Sequence, residues 1–377
     1  MHVLILGTRG VPAVHGGFES FAQDLSLYLV WQGHQVTVYC QAAENTSVRQ
    51  DRWQGIERVF LPAASHPWGT VQFDWAATRH SCGKGGVALT LGYNTGVFSL
   101  LYRLRGIPSV MNMDGIEWQR QKWSGPQRGW LWFNEWAGAR FANYLVADHP
   151  EIARHLERHT TSSRITVIPY GADIVEDASP GLVREFGLTP GSYYLVIARA
   201  EPENSLLEIV AAYSARRRAI PLVILGKYLP ERSQYHRRVL SAGNSDVKFL
   251  GAIYKRDVVR ALRFHATAYL HGHRVGGTNP SLVEALAAGN PIVAHDNRFT
   301  RWVAGPQAKY FLGIDDLHTI FESLEADPGQ LLRMSQASRR RHQEDFTQEK
   351  VLPAYENLLC RAVGSTMSSP ESVLETQ

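Results

Sequence analysis

The stretch Ala268-Tyr269-Leu270-His271-Gly272-His273-Arg274-Val275-Gly276-Gly277-Thr278-Asn279-Pro280-Ser281-Leu282-Val283-Glu284-Ala285-Leu286-Ala287-Ala288-Gly289-Asn290-Pro291-Ile292-Val293-Ala294 reads as strand, glycine loop, helix, strand. Ala268–His271 and Pro291–Ala294 are short apolar runs of the kind that parallel strands buried on both faces require. Between them, Gly276 and Gly277 interrupt the chain, Asn279 is a natural helix N-cap and Pro280 a natural first helical residue. This is one βαβ unit, and it predicts a parallel sheet covered by helices.

Working outward, Tyr193–Ala198, Leu222–Leu225 and Val247–Phe249 extend the same pattern upstream. An earlier set comprises Val3–Leu6, Val36–Tyr39, Gly86–Leu91, Ser109–Met113 and Tyr144–Ala147, with helical patterns such as Phe18–Gln32 between its members. Two successive sets predict an α/β chain of two Rossmann-like, doubly wound domains. Ile168-Pro169-Tyr170-Gly171-Ala172-Asp173 breaks the alternation and marks the boundary near Gly171. The expected domains are 1–171 and 172–346. A C-terminal helix within 347–363 is expected to pack back towards the first domain, followed by a disordered Ser-, Thr- and Glu-rich tail, 364–377. Ligands of open α/β sheets bind beyond the carboxyl ends of the strands, so two such sheets facing each other place the site in a central cleft.

Composition narrows the function classes. The 377 residues are 44% hydrophobic and 20% charged, with a net charge of +4. That is an ordinary globular chain without the concentrated basic face of a nucleic-acid binder. Cys40, Cys82 and Cys360 are odd in number and widely spaced, which fits neither a disulfide framework nor a metal site and favours a reducing cytosol. No run approaches the roughly 20 apolar residues of a membrane span.

Five constellations carry chemistry. Gly7-Thr8-Arg9-Gly10 … Gly16-Gly17-Phe18-Glu19 follows the first strand and opens a helix, so it offers backbone N–H groups to an anion, or is simply a loop that needs positive φ. Asp114 and Glu117, in Asn112-Met113-Asp114-Gly115-Ile116-Glu117-Trp118, stand where a strand ends; a turn and a helix cap are the plainer reading. Trp118, Trp123, Trp130, Trp132 and Trp136, five of the ten tryptophans, alternate with Arg120, Lys122 and Arg128. Such a segment suits a membrane interface or a lipid-linked ligand, or fills the domain core.

Arg199 follows the first strand of the second domain, where a guanidinium fork can hold two diphosphate oxygens. Lys227 could add a second positive charge; both could equally be solvated surface cations. In the fifth constellation, Gly277, Thr278, Asn279, Pro280 and Ser281 present a helix N-terminus, whose free N–H groups would face a phosphate. Glu284, one turn in, could accept both hydroxyls of a ribose, or close a capping box with Ser281.

These residues resemble family 4 glycosyltransferases, whose fold is GT-B. The family signature Glu-Gly-Phe-Gly-Leu-Pro-x-x-Glu-Ala-x-Ala-x-Gly-x-Pro is matched in its second half by Glu284-Ala285 and Gly289-x-Pro291. Gly276 replaces its first Glu, and Asn204 stands where a Lys usually follows the diphosphate-binding Arg. A branch of the family resembles this chain further. It shows Gly-Thr-Arg-Gly-x-Pro-x-x-x-Gly-Gly-Phe-Glu, Asp-Gly-x-Glu-Trp-x-Arg-x-Lys-Trp, Pro-Glu-Asn and His-Gly-His-x-x-Gly-Gly-Thr-Asn-Pro-Ser, which begin here at Gly7, Asp114, Pro202 and His271.

The resemblance spans residues 1 to about 363 and implies a retaining glycosyltransferase. It would move a sugar from a nucleoside-diphosphate sugar to a saccharide acceptor in surface polysaccharide (capsule or cell-wall) biosynthesis. The branch includes rhamnosyltransferases that use dTDP-rhamnose and enzymes that act on polyprenyl-diphosphate-linked saccharides. Glu284 inherits ribose binding, and Asp114 the position of the family's usual His.

The assignment is therefore as follows. Asp114 and Arg199 are catalytic. Gly16, Gly17, Arg199, Lys227, Gly277, Thr278, Asn279, Pro280, Ser281 and Glu284 bind the donor, and Glu19, Asp114, Glu117 and Trp118 bind the acceptor. No cofactor and no metal is expected, because no Asp-x-Asp follows a strand end and cations can replace Mg²⁺ at the diphosphate. No nucleic acid is expected as partner. The expected location is cytoplasmic, peripheral on the inner face of the cytoplasmic membrane. The alternatives are transfer of glucose, GlcNAc or galactose from a UDP- or GDP-donor, a nucleotide-sugar epimerase, and a non-catalytic subunit that binds lipid-linked sugar. An NAD oxidoreductase is disfavoured, since neither domain has G-x-G-x-x-G.

Overall fold

The computed structural model describes residues 1–13, 16–66, 68–120 and 122–367. The chain divides into two compact units, one of residues 1–169 with 351–377 and one of residues 170–350.

The first unit is built on an eight-stranded sheet. Its strands are β1 (His2–Leu6), β2 (Gln35–Ala42), β3 (Arg49–Trp53), β4 (Ile56–Pro62), β5 (Val87–Leu91), β6 (Ser109–Asn112), β7 (Tyr144–Ala147) and β8 (Ile165–Val167), in the order β3-β4-β2-β1-β5-β6-β7-β8. All neighbours are parallel except β3 with β4. The central strands are near-continuous buried apolar runs, as strands covered on both faces must be. Chain direction reverses its order across the sheet between β1 and β5, so the segments leaving these strands diverge at their carboxyl ends, the position where open α/β sheets bind ligands.

The C-terminal helix Gln348–Met367 returns to this unit. Glu356 accepts a hydrogen bond from the Tyr28 hydroxyl at 2.6 Å and pairs with His34 at 2.7 Å, while buried Tyr355 packs at a tilt against Phe21 with ring centroids 4.8 Å apart. The helix includes the first residues of the expected tail; residues 368–377 lie outside the described residues.

The second unit carries six parallel strands: β9 (Tyr194–Ile197), β10 (Leu222–Leu225), β11 (Val247–Gly251), β12 (Ala268–His271), β13 (Ile292–His295) and β14 (Lys309–Phe311), ordered β11-β10-β9-β12-β13-β14. Side chains alternate across the pleat. Leu195, Val223 and Tyr269 enter one apolar layer, Tyr194, Val196, Leu222 and Leu270 the other, and both layers are buried under helices. The order reverses between β9 and β12, which puts the loops after these two strands at the ligand position of the sheet.

Candidate donor and acceptor sites

In the second unit β9 and β10 pair Ile197 with Leu225. Arg199 and Lys227 therefore each stand two residues beyond a matched pair on adjacent strands. Both are exposed, and neither has an ion-pair partner among the described residues. Gly226 allows the close approach: a Cβ there would lie 2.5 Å from the Ala198 carbonyl oxygen. Buried Asn204 donates to the Arg199 carbonyl at 2.8 Å and so fixes the turn that carries Arg199.

The Pro202-Glu203-Asn204 segment meets the loop after β12. A Cβ on Gly272 would lie 2.1 Å from the Asn204 carbonyl oxygen, so only glycine fits there. The Arg274 N–H donates to the Glu203 carbonyl at 2.9 Å. Two of the four sequence signatures are thus one piece of structure.

The helix Pro280–Ala287 begins as expected, with Asn279 as N-cap accepting from the Ser281 N–H at 2.9 Å. Two expectations change. First, the helix start has few free N–H groups: Leu282 and Val283 donate to the Asn279 carbonyl, and Pro280 has none. An anion here meets the helix dipole and the loop N–H groups of Gly276 and Gly277, which make no hydrogen bond among the described residues. Second, Ser281 and Glu284 form no capping box. Ser281 Oγ lies 2.7 Å from the Tyr269 hydroxyl and accepts from Arg263 Nη2 at 2.9 Å. Glu284 Oε2 pairs with the same Arg263 nitrogen at 2.5 Å. Glu284 is half exposed in this anchored position.

Arg263 and the histidines of the loop were not assigned from sequence. His271, the last residue of β12, is fully buried, and neither ring nitrogen has a hydrogen-bond partner among the described residues. Its ring stacks on His273 at 4.2 Å between centroids. Burial, reinforced by His273 and His295, holds its imidazole well below the ordinary range, so it is neutral at pH 7. The signal in the sequence was a pair of histidines, His271-Gly272-His273, at the end of an apolar strand.

In the first unit, Asp114 follows β6 with φ +49°, a conformation Asp and Asn tolerate better than most residues. Its N–H donates to Asn112 Oδ1 at 2.8 Å, and Asn112 Nδ2 donates to the Tyr355 hydroxyl at 2.7 Å. The C-terminal helix thereby positions Asp114. Burial pushes the Asp114 carboxyl above its usual range against the pull of Arg120.

Glu117 is engaged differently. Its oxygens pair with Arg120 Nε and Lys122 Nζ, each at 2.7 Å, and accept from the Trp123 indole at 3.1 Å. Burial opposes its charge, but these partners outweigh it and hold the carboxyl below the ordinary range. The Trp118 indole donates inward, to Glu135 at 3.0 Å. Gly16 and Gly17 open the helix Gly16–Trp31 after the β1 loop, with Glu19 in its first turn.

The tryptophan segment divides. Trp118 and Trp123 turn their polar edges inward, whereas Trp132, Phe133 and Trp136 on the helix Gly125–Phe141 are exposed. Trp68 adjoins Trp130, Trp130 adjoins Phe133 and Phe133 stacks on Trp136, at 6.0–6.5 Å between centroids. No helix among the described residues is long and apolar enough to cross a membrane.

Comparison with known proteins places these findings. Residues 1–173 match a domain family of unknown function, DUF1972, and residues 187–341 match "Glycosyl transferases group 1". No curated protein gives a match. Among solved structures, the chain is similar to the sucrose-phosphate synthase of Thermosynechococcus elongatus, at 16% identity over 97% of this chain and 99% of that one, TM-score 0.78. It is similar to Anabaena HepE in complex with UDP, at 15% identity over 97% and 100%, TM-score 0.74. The E. coli trehalose-6-phosphate structure bound with UDP-2-fluoro glucose follows at 10% identity over 95% and 99%, TM-score 0.71. At such identities the likeness establishes the fold, two α/β units of GT-B type. With a group 1 glycosyl transferase domain on the unit that carries Arg199, Asn279 and Glu284, the chain is a transferase, a glycosyltransferase with the GT-B fold.

Proposed function

We propose that the protein is a retaining glycosyltransferase that moves rhamnose from dTDP-rhamnose to a polyprenyl-diphosphate-linked saccharide in surface polysaccharide biosynthesis. One observation carries the donor assignment. Arg199, Lys227, the Gly276–Ser281 loop and the Arg263-anchored Glu284 all follow the carboxyl ends of one parallel sheet. Two unpaired cations and a helix dipole suit a diphosphate, and an anchored carboxylate suits a ribose.

In the reaction the anomeric C–O bond to the diphosphate breaks, and an acceptor oxygen bonds the anomeric carbon on the same face. The acceptor proton passes to the leaving diphosphate oxygen. Arg199 and Lys227 stabilise the negative charge that grows on the diphosphate, without a divalent metal. Asp114 accepts a hydrogen bond from the acceptor hydroxyl and offsets positive charge on the sugar. Glu19 contributes to the acceptor side, while Glu117 holds Arg120 and Lys122 in place.

The exposed Trp132, Phe133 and Trp136, flanked by exposed Arg128 and Arg140, suit peripheral binding at the inner face of the cytoplasmic membrane, where lipid-linked acceptors reside. A thermal-shift panel of nucleotide sugars tests the donor assignment, because a ligand of the folded state alone raises Tm. dTDP-rhamnose is expected to give the largest shift; a larger shift with a UDP- or GDP-sugar would replace rhamnose, and no shift with any would remove the donor assignment.

A further inference from the structure

Behind the Asp114–Trp118 loop lies a group that the transfer reaction does not use. Glu135 on the helix Gly125–Phe141 is 1% exposed, and its Oε1 faces two imidazoles, His155 Nε2 at 2.7 Å and His159 Nε2 at 3.4 Å. The three ligand atoms all lie within 4.8 Å of one another. No Lys or Arg pairs with this carboxylate among the described residues. A buried carboxylate needs a compensating charge, and here only an indole N–H and two imidazoles surround it.

We infer that Glu135, His155 and His159 hold one divalent transition-metal ion of the zinc class. Two imidazole nitrogens and a carboxylate oxygen are a ligand set that Zn²⁺ takes, with a fourth position left to water. The fold prepares it. Pro150 starts the helix Pro150–Leu156, and the turn after it, closed by the His159 N–H on the Leu156 carbonyl at 2.9 Å, brings His159 round beside His155. The Trp118 indole holds the other carboxylate oxygen, Oε2, at 3.0 Å, an outer-shell bond that leaves Oε1 directed at the histidines. The ion staples helix Gly125–Phe141 to the segment around His155 and, through Trp118, braces the loop that presents Asp114. It is separate from the donor diphosphate, and the inference stands whether or not the rhamnose reading does.

The test uses the untagged full chain, stripped with chelator and titrated with Zn²⁺ and with Co²⁺. One ion per chain, a visible cobalt d–d band and a raised Tm are expected. His159→Gln, at the least buried ligand, should weaken Zn²⁺ binding by about 10- to 100-fold and dim the band, with the apo fold kept by circular dichroism. Glu135→Gln should do the same if it folds, and the His159 variant decides if it does not. No cobalt band, or zinc affinity unchanged in His159→Gln, would overturn the site; the histidines would then serve only as hydrogen-bond partners of Glu135.

Discussion

Arg263 Nη2 lies 2.5 Å from Glu284 Oε2 and 2.9 Å from Ser281 Oγ, so one nearly buried guanidinium fixes both the start and the second turn of the helix Pro280–Ala287. Glu284 is consequently held in one orientation before any ligand arrives, which lowers the ordering cost of binding. Glu284→Ala is expected to weaken nucleotide binding about 10- to 150-fold, roughly 1.5–3 kcal/mol. Calorimetric titration with the cognate nucleotide checks this. An unchanged affinity in a folded variant would assign Glu284 to the Arg263 pair alone.

Arg199→Ala should reduce turnover by about 10²-fold, more than Lys227→Ala, because the guanidinium offers two directed donors where the ammonium is a point charge on a flexible stem. Steady-state rates of the two variants decide it; equal rates, or normal turnover in Arg199→Ala, would remove the ranking. Mg²⁺ added to the enzyme with its Glu135–His155–His159 site already loaded with Zn²⁺ should leave the donor kcat/KM unchanged, and a Mg²⁺-dependent rise would contradict cationic holding of the diphosphate.

His271 has no hydrogen bond to lose among the described residues. Replacement by Leu removes a buried polar ring without stranding a partner, and should raise Tm. The pH dependence has a definite sign. A folded-state pKa held below the unfolded value leaves stability intact above about 6.5 and erodes it as pH falls, because only the unfolded chain takes the proton. Wild-type Tm should therefore drop more steeply than that of His271→Leu between about pH 6.5 and 5. Parallel Tm curves would show that His271 does not titrate in this way.

Double replacement Trp132→Ser with Trp136→Ser should abolish most binding to anionic vesicles at low salt, while leaving Tm near wild type, since both rings are exposed. Vesicle sedimentation at low and high salt reads both the aromatic and the electrostatic part. Unaltered sedimentation would return the exposed aromatic face to some other partner.

What was legible in the sequence follows burial. Strands covered on both faces, such as β1, β5, β9 and β12, announce themselves as apolar runs. The hairpin of β3 and β4 does not. β3, Arg49-Gln50-Asp51-Arg52-Trp53, is a polar edge strand, and its turn uses Gln54 at φ +48° before Gly55 rather than an Asn-Gly pair. The short edge strands β8 and β14 are equally quiet.

At the site, cap chemistry fixed Asn279 and Pro280 from local spacing alone. Arg263 was invisible because it approaches Glu284 from a different helix, 21 positions upstream, and only the packed sheet brings the two together. The tryptophans were ambiguous for the same reason, since spacing does not say which rings find partners: Trp118 and Trp123 do, whereas Trp132 and Trp136 lie on the surface.

The acceptor side rests on Asp114, held through Asn112 by Tyr355 of the C-terminal helix. Asp114→Asn keeps the shape and the left-handed backbone and removes the charge. Because burial raises the Asp114 pKa, its ionisation costs stability as pH rises through that value. The Asn variant should therefore be at least as stable as wild type at pH 7 and above, slower in turnover, and unchanged in donor affinity. A weakened donor affinity would contradict the division of labour between the units.

The most direct measurement of the whole account is sugar transfer itself, read by mass spectrometry of a polyprenyl-diphosphate-linked saccharide incubated with the enzyme and each nucleotide sugar in turn. The account predicts that the acceptor gains one deoxyhexose from dTDP-rhamnose, with dTDP released only when acceptor is present and the α- or β-configuration of the donor kept in the product. An acceptor that gains no sugar from any donor, while the donor is isomerised alone or merely bound, would contradict it.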